Sequence, residues 1–563
     1  MAINYSKHVT TKTRSNKTPA TTKAAPSQVP NSTGGFVWEV NDWDRLTRFL
    51  ILGAEGGTYY VGEADLVKSN HSAILRCIKT DGVRTVREIV DVSDKGRAYK
   101  NDPAVFALAL CATHGDEATR SAAFTALPKV CRIGTHLFHF MQYITAMRGT
   151  GRALRRAVGN WYTQMPDEKL AMQAIKYQQR DGWSHRDLLR LSHPKTTDNG
   201  TEAVLRWMVG GIGSLEARTV ARKATKRSME YPSVIGHLPP VIKAFEEAKT
   251  ASEKKLIELI TEHNLPREAV PTEKLNSPAV WEALLQKMPL NAMIRSLGKM
   301  SAVGLVKPLS SASKLVVKKL SDAEHLRKSR VHPMQVLLAA KVYAQGRGMK
   351  GSLTWNAVPN VLSALDAAFY ATFTNVVPCD KPMLIGLDVS GSMSAQMAGN
   401  PISSCEAVAA LSLIHVSIEE ECHVFGFAND FRELGIRKGM TLVEAARRAQ
   451  ISNFGSTNIG LCYEYAIGNK LEVGAFIAMT DNEVNSGHQP FQRLREYRNR
   501  YVPDARSIVV GTTSTPFTVN NPDDKFGLDV AGFDSAVPAL IADFIRGDTE
   551  KPKEVVEDAP AED

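Results

Sequence analysis

Apolar residues recur at helical spacing through most of the first two thirds of the chain. The run DPAVFALALCATH (102–114) sets the pattern, opened by the helix-start pair Asp102-Pro103. LPKVCRIGTHLFHFMQYITAM (127–147), KLAMQAIKYQQRD (169–181), HRDLLRLSH (185–193), GTEAVLRWMVG (200–210) and PPVIKAFEEAKT (239–250) continue it. EKKLIELITEH (253–263), SPAVWEALLQKM (277–288), LNAMIRSLGKM (290–300) and HPMQVLLAAKVYAQG (332–346) complete the series. Pro, Gly or short polar stretches separate the runs, and alternating strand patterns are scarce. Many short helices on short loops predict an all-α domain over residues 34–375, built of stacked antiparallel helix pairs. No strict period is present, which points to irregular HEAT-like pairs and away from tetratricopeptide or ankyrin repeats. Residues 1–33 are rich in Thr, Ser, Lys and Pro and predict a disordered basic arm.

After NVVPCDKP (375–382) the period changes. PMLIGLDV, CHVFGFAN, GAFIAMTD and RSIVVGTT are short, nearly continuous apolar runs, the signature of buried strands. Between them lie helical patterns in CEAVAALSLIHVSIEE, LVEAARRAQ, IGLCYEYAIGN and FQRLREYRNR. Strands alternating with helices predict a parallel, doubly wound α/β domain over residues 380–547. SAVPALIADFIRG adds a last amphipathic helix, and residues 548–563 form an acidic tail expected to be loose.

Composition sharpens this picture where it is uneven. Residues 381–563 hold 16 Lys+Arg against 26 Asp+Glu, which leaves 53 against 33 in residues 1–380. A basic helical half joined to an acidic half is the electrostatic footprint of a polyanion partner, nucleic acid above all, with a merely soluble basic surface as the alternative. No apolar run reaches membrane-spanning length, so no membrane partner is expected. The N-terminus has no apolar signal region, while Lys7, Lys12, Arg14, Lys17 and Lys23 precede the first acid, Glu39. That composition suits a basic arm or a transit peptide. The seven cysteines are scattered without a C-x-x-C pair, which suits free thiols in a reducing cytoplasm.

Candidate chemistry begins at LIGLDVSGSM (384–393). Asp388 ends an apolar strand, and Ser390 and Ser392 follow on a tight loop. Oxygen donors at the carboxyl end of a parallel strand suit a hard divalent cation, Mg²⁺ by its ligand preference. FGSTNIG adds Thr457 and IAMTDNE adds Asp481, both at further strand ends or loops. The set Asp388, Ser390, Ser392, Thr457 and Asp481 resembles the metal-ion-dependent adhesion site of von Willebrand factor A-type domains. That resemblance implies direct ligation by the hydroxyls, aspartates acting in part through water, and an open position for an acidic group of a partner protein. Asn458 stands after Thr457 where such sites often carry Asp, a change expected to touch the surroundings of the metal. A helix cap with ordinary turn serines is the alternative for the first loop taken alone.

The densest basic stretches are AMRGTGRALRRAVGNWY, with Arg148, Arg152, Arg155 and Arg156, and KYQQRDGWSHRDLLRLSHPK, residues 176–195. The four-residue spacing of Lys176 and Arg180 predicts a shared helix face. Trp183, Ser184, His185, Arg186, Arg190, His193 and Lys195 follow closely. Arg and Lys neutralise phosphates, and His and Trp stack on unpaired bases. Solvated helix faces and core packing account for the same residues equally well on chemistry alone.

The same segment, with DPAVFALALCATHG, VCRIGTHLFHF, MPLNAMIRSLGKM, LDAAFYATF, DVSGSM, TDNE and NPDDKFGLDVAGFD, resembles the Ro ribonucleoprotein family from about residue 36 to 547. In that family a TROVE domain precedes a von Willebrand A domain. The resemblance implies a ring of HEAT-like pairs closed by the A domain. It implies Y RNA on the outer basic surface, and single-stranded 3′ ends of misfolded noncoding RNAs in the central hole. It implies a role in RNA quality control and stress survival, a monomeric protein, and, in bacteria, delivery of RNA to a 3′ exoribonuclease of the polynucleotide phosphorylase type. Lys176, Arg180, His185 and Arg186 match the segment associated with Y RNA contact. Arg132, His136, Arg152 and Arg156 are further candidates on the ring surface or in the hole.

Enzymatic motifs are missing. GRGMKGS (346–352) has P-loop glycines but places Gly351 and Ser352 where Gly-Lys-Ser/Thr is needed. There is no G-x-S-x-G, H-E-x-x-H or zinc spacing, and His136 and His139 of HLFH lack a further ligand in sequence. The expectation is binding without catalysis. An interaction module using the metal loop, and a metal-assisted nuclease, are the competing classes.

Overall fold

The computed structural model describes residues 18–547, apart from residues 32, 40, 53–62, 95–100, 223–226, 330, 332, 349–351, 377, 390–392, 394–401, 451–455, 481–483, 512–516, 522 and 532–536. Residues 70–372 form one compact unit, and the segments on either side of it form the other. The flanking unit begins with β1 (Gln28–Pro30) and β2 (Phe36–Glu39), paired antiparallel, and the helix Asp42–Leu52.

The central unit is helical, with two small hairpins: β3 (Gln179–Arg180) with β4 (Trp183–Ser184), and β5 (Arg218–Arg222) with β6 (Arg227–Tyr231). Its helices start where the sequence offers caps. Asp116, Asp198, Ser252, Ser277, Ser310 and Asp322 each accept a hydrogen bond from a backbone N–H of the first turn. The apolar run 127–147, expected as one helix, is split into Glu117–Val130 and Gly134–Met147. Cys131 leaves helical geometry, and its carbonyl accepts from the indole N–H of buried Trp161 at 2.5 Å. A partner thirty residues away thus satisfies a backbone group that the helix gives up.

Basic side chains close several helix ends. Lys287 Nζ donates to the Thr261 carbonyl at 2.7 Å, in the last turn of Glu253–His263. Lys319 Nζ donates to the carbonyls of Leu285 at 2.8 Å and Gln286 at 3.0 Å, at the end of Pro278–Lys287. Arg148 reaches the carbonyl of Ala112 at 2.9 Å, and Arg132 that of Ser93. Cations at helix C-termini satisfy orphan carbonyls and complement the macrodipole. Lys319→Met is therefore expected to lower stability by about 1–3 kcal/mol, read from urea unfolding, while leaving helix content intact.

The flanking unit is built on a six-stranded sheet of order β13-β11-β10-β7-β8-β9. Its strands are β7 (Met383–Asp388), β8 (Cys422–Phe427), β9 (Phe431–Glu433), β10 (Ala475–Thr480), β11 (Arg506–Gly511) and β13 (Gly527–Ala531). β8 and β9 pair antiparallel, and every other pair is parallel. β7, β10 and β11 are buried at every position, which is why they read as unbroken apolar runs. β12 (Phe517–Thr518) pairs instead with β2.

The N-terminal segment differs from the expected loose arm over 1–33. Residues 1–17 lie outside the described residues, but from Thr18 onward the chain is part of this unit. Ala20 and Val37 join the core that includes Leu384, Phe476 and Tyr497. Gln28 donates to Gln489 Oε1 at 2.7 Å, Gln489 to the Thr22 carbonyl at 3.0 Å, and Asn31 to the Val484 carbonyl at 2.7 Å. The stretch looked disordered because its buried anchors are amides, whose burial depends on reciprocal hydrogen bonds rather than on apolar content. The tail 548–563 lies outside the described residues.

Candidate nucleic-acid interface and metal loop

The segment 176–195 is arranged around a turn. The helix Asp167–Lys176 ends at Lys176, and Tyr177 leaves helical geometry. β3 and β4 then pair across Asp181-Gly182, both at positive φ (53° and 78°). Asp-Gly at two positive-φ positions is the tight hairpin turn that matches strand twist. The expected shared helix face of Lys176 and Arg180 is thereby corrected: Lys176 closes a helix and Arg180 sits on a strand. The two side chains are nonetheless both exposed, Arg180 at 60%.

Ser184 caps the next helix, His185–Ser192, in a reciprocal capping box with Asp187. Its hydroxyl is thus committed to the fold. Arg186 and Arg190 are exposed on that helix. His185 points the other way and is 4% exposed, against the rings of Phe138, Trp161 and Tyr162. Its Nδ1 lies 2.8 Å from the Tyr162 hydroxyl. Burial pushes its pKa down to about 4, against the opposing pull of the Tyr177 and Gln173 carbonyls. His185 is a core residue, a correction to its place among the RNA candidates. The exposed histidine of this stretch is His193, which terminates the helix at φ 46°. Trp183 is half-buried.

The remaining candidates divide. Arg152 and Arg156 are exposed, with Arg155, on the first turns of Arg152–Thr163, a helix start without acidic residues. Three guanidiniums on a positive helix end reinforce one another and leave a site of high positive potential. Arg132 caps the helix ending at Asp94 through the Ser93 carbonyl, so part of its guanidinium is structural. His136 is half-buried, with Nδ1 3.2 Å from Asn101 Nδ2. Burial, aided by Arg132, holds its pKa down at about 4, so it is neutral at pH 7 and contributes no cation.

On the sheet, Asp388 ends β7 with 1% exposure, and its Oδ2 accepts from the Thr480 hydroxyl at 2.7 Å. Thr480 is the last residue of the neighbouring β10, so this hydrogen bond joins the ends of two adjacent parallel strands. Thr457 is 3% exposed; its N–H donates to Asn485 Oδ1 at 2.7 Å, and the Ser456 N–H donates to Asn429 Oδ1 at 3.0 Å. The Thr457 loop is thus pinned between the residues that follow β8 and those that follow β10. Asn458 packs on Gly487 (φ 73°), where a Cβ would fall 2.1 Å from Asn458 Nδ2. Ser390, Ser392 and Asp481 lie outside the described residues. Among the described residues no three His, Cys, Asp or Glu side chains converge as metal ligands. The donors that are described are oxygens at the carboxyl edge of a parallel sheet, the type and place that fit Mg²⁺.

The TROVE domain family matches residues 29–342, and the Ro60 vWA domain family matches residues 382–545. The chain is 39% identical to the RNA-binding protein RO60 of Deinococcus radiodurans, over 94% of this chain and 97% of that one. The chain belongs to the Ro family. A second Ro relative, the RNA-binding protein RO60 of Caenorhabditis elegans, is 34% identical over 93% of this chain and 91% of its own. The crystal structure of the Deinococcus radiodurans RO (RSR) protein superposes with a TM-score of 0.69 at 37% identity, covering 90% of this chain and all of that one. The Ro architecture, a helical TROVE region followed by an A domain with a mostly parallel sheet, is therefore that of this chain. Among the described residues no helix is long and apolar enough to cross a membrane.

Proposed function

We propose that this Ro-family protein binds RNA through the exposed basic side chains of its helical unit. The observation that carries the reading is the cluster of Lys176, Arg180, Arg186, Arg190 and His193, all exposed around one hairpin and one helix, with Arg152 and Arg156 on a further helix of the same unit. Relatives over nearly the whole chain bear the name RNA-binding protein. The expected ligands are small noncoding Y RNA and the single-stranded 3′ ends of misfolded noncoding RNAs. Noncoding-RNA quality control and stress survival in the cytoplasm is the corresponding role, with hand-over to a 3′ exoribonuclease in a bacterial host. Flexible single-stranded ends suit exposed guanidiniums, which contact phosphate and stack on bases alike. No catalytic step is assigned: the relatives over nearly the whole chain are named for RNA binding, and the sequence carries none of the enzymatic motifs considered above. Filter binding to structured RNA across a salt series tests the reading. Affinity that stays constant with salt would contradict a phosphate-dominated interface.

Asp388, Ser390, Ser392, Thr457 and Asp481 would hold the Mg²⁺, which supplies an open coordination position for an acidic group of a protein partner. At a hundred times the dissociation constant the ion stabilises its unit by about 2.7 kcal/mol. Mg²⁺ is expected to raise the melting temperature of the wild type by about 5–10 °C and that of Asp388→Ala by nothing measurable in differential scanning calorimetry.

A further inference from the structure

Beside the β3–β4 hairpin lies a cluster that the RNA reading does not use. His139, on the helix Gly134–Met147, has its ring between two carboxylates. Its Nδ1 lies 2.5 Å from Asp181 Oδ2, and its Nε2 lies 3.5 Å from Asp102 Oδ1. Asp102 opens the helix Asp102–His114, and Asp181 is the first turn residue of the hairpin. The His139 side chain is 13% exposed, that of Asp181 21% and that of Asp102 44%, so the imidazole is the shielded member of the cluster. Tyr143, one turn on, walls the imidazole at 6.5 Å between ring centroids. The other oxygen of Asp181, Oδ1, lies 3.7 Å from the Nε of Arg180.

This geometry ties the hairpin turn to a helix. A two-residue strand pair is far too short to hold itself in water. It keeps its place through what ties it to the helices: the Ser184–Asp187 capping box at its exit, and His139–Asp181 at its turn. The same carboxylate forms an ion pair with Arg180. The tether thus runs from His139 through one oxygen of Asp181 to the turn, and the other oxygen faces Arg180; loss of either end of the tether frees the turn and with it the strand that carries Arg180.

We propose that His139 is a positioning residue: by holding Asp181 it fixes the hairpin and keeps the Arg180 guanidinium available to an RNA phosphate. The inference rests on the reading of Arg180 as an RNA contact, and a double-mutant cycle separates the two. The probe is a fluorescein-labelled RNA hairpin with a single-stranded 3′ tail, titrated with full-length protein in fluorescence anisotropy. Arg180→Gln is expected to weaken binding about 10-fold, the size of one lost charge-assisted contact. His139→Ala is expected to weaken it by about the same factor, and the double variant by little more than either alone, because both remove one interaction. His139→Asn, whose Nδ2 occupies the place of Nδ1, is expected to restore most of the affinity. Combined with Arg152→Gln, His139→Ala should instead give losses that multiply.

Asp181→Gly removes the carboxylate while accepting the positive φ of the turn, and should match His139→Ala without adding to it. This variant carries the test if His139→Ala fails to fold. A weakened Arg180→Gln beside a His139→Ala and an Asp181→Gly of wild-type affinity overturns the positioning role and leaves the RNA reading intact. The same holds for losses at His139 and Arg180 that multiply. An Arg180→Gln of wild-type affinity overturns the reading of Arg180 and the inference with it.

Discussion

Reversal of Lys176, Arg180 and Arg186 to Glu together is expected to lower affinity for structured RNA at least about 100-fold at physiological salt. The slope of log affinity against log salt should become shallower by about 2 to 3, one counterion for each phosphate no longer neutralised. The fold should survive, since all three side chains are exposed. Arg186 lies in the first turn of its helix, where Glu is favourable to the dipole. Lys176 lies in a last turn and stands 5.4 Å over the Tyr177 ring, so Glu there costs a few tenths of a kcal/mol. Filter binding across a salt series reads both quantities. A triple variant with wild-type affinity would remove these residues from the interface.

Acidification from pH 7 to pH 5 is expected to destabilise the helical unit more than the sheet unit. His185 and His136 have folded pKa values near 4, below the ordinary value of 6.5. Below pH 6.5 the unfolded chain takes up protons that the folded chain refuses, so stability is full above that pH and falls as the pH drops toward 4. Each such histidine contributes a loss of about 2 kcal/mol between pH 7 and pH 5, less for half-buried His136. Among its described residues the sheet unit carries one buried histidine of the same kind, His415, held at about 4 by burial. It also carries Asp529, buried against Arg48, whose pKa burial raises to about 6. A raised carboxyl works in the opposite sense: the folded state gains stability as the pH falls through 6, which offsets His415. Urea unfolding at the two pH values reads the difference, and His185→Gln should flatten the pH dependence of the helical unit. An equal slope in wild type and variant would show that His185 is not neutral in the fold.

Local pattern and caps made most elements legible. DPAVFALALCATH and EKKLIELITEH are helices over those residues. The four apolar runs after residue 381 are β7, β8, β10 and β11. The Ro resemblance, carried by the same quoted segments, agrees with the family matches over both halves. What was not legible is instructive at single residues. Asp181-Gly182 is a hairpin signal that helical spacing on both sides concealed. β12 is a two-residue element whose partner β2 lies far away in sequence, and β13 is a short edge strand beside β11. Of the metal loop, Asp388 and Thr457 are placed at one sheet edge, whereas the positions of Ser390, Ser392 and Asp481 rest on the motif.

By itself the sequence determined where helices and strands form, which half is basic, and which motifs stand at strand ends. Those properties depend on neighbours within a turn or a strand: apolar spacing, caps, and turn residues. Tertiary structure alone decided which polar side chains face outward. His185 and His193 are eight residues apart on one stretch, yet one fills a core of aromatic rings and the other faces solvent. Gln28 and Asn31 are anchors rather than parts of a loose arm because Gln489 and Val484 meet them from the far end of the chain. Burial of a polar group is favourable only where its partners arrive, and those partners come from distant segments that no local pattern specifies.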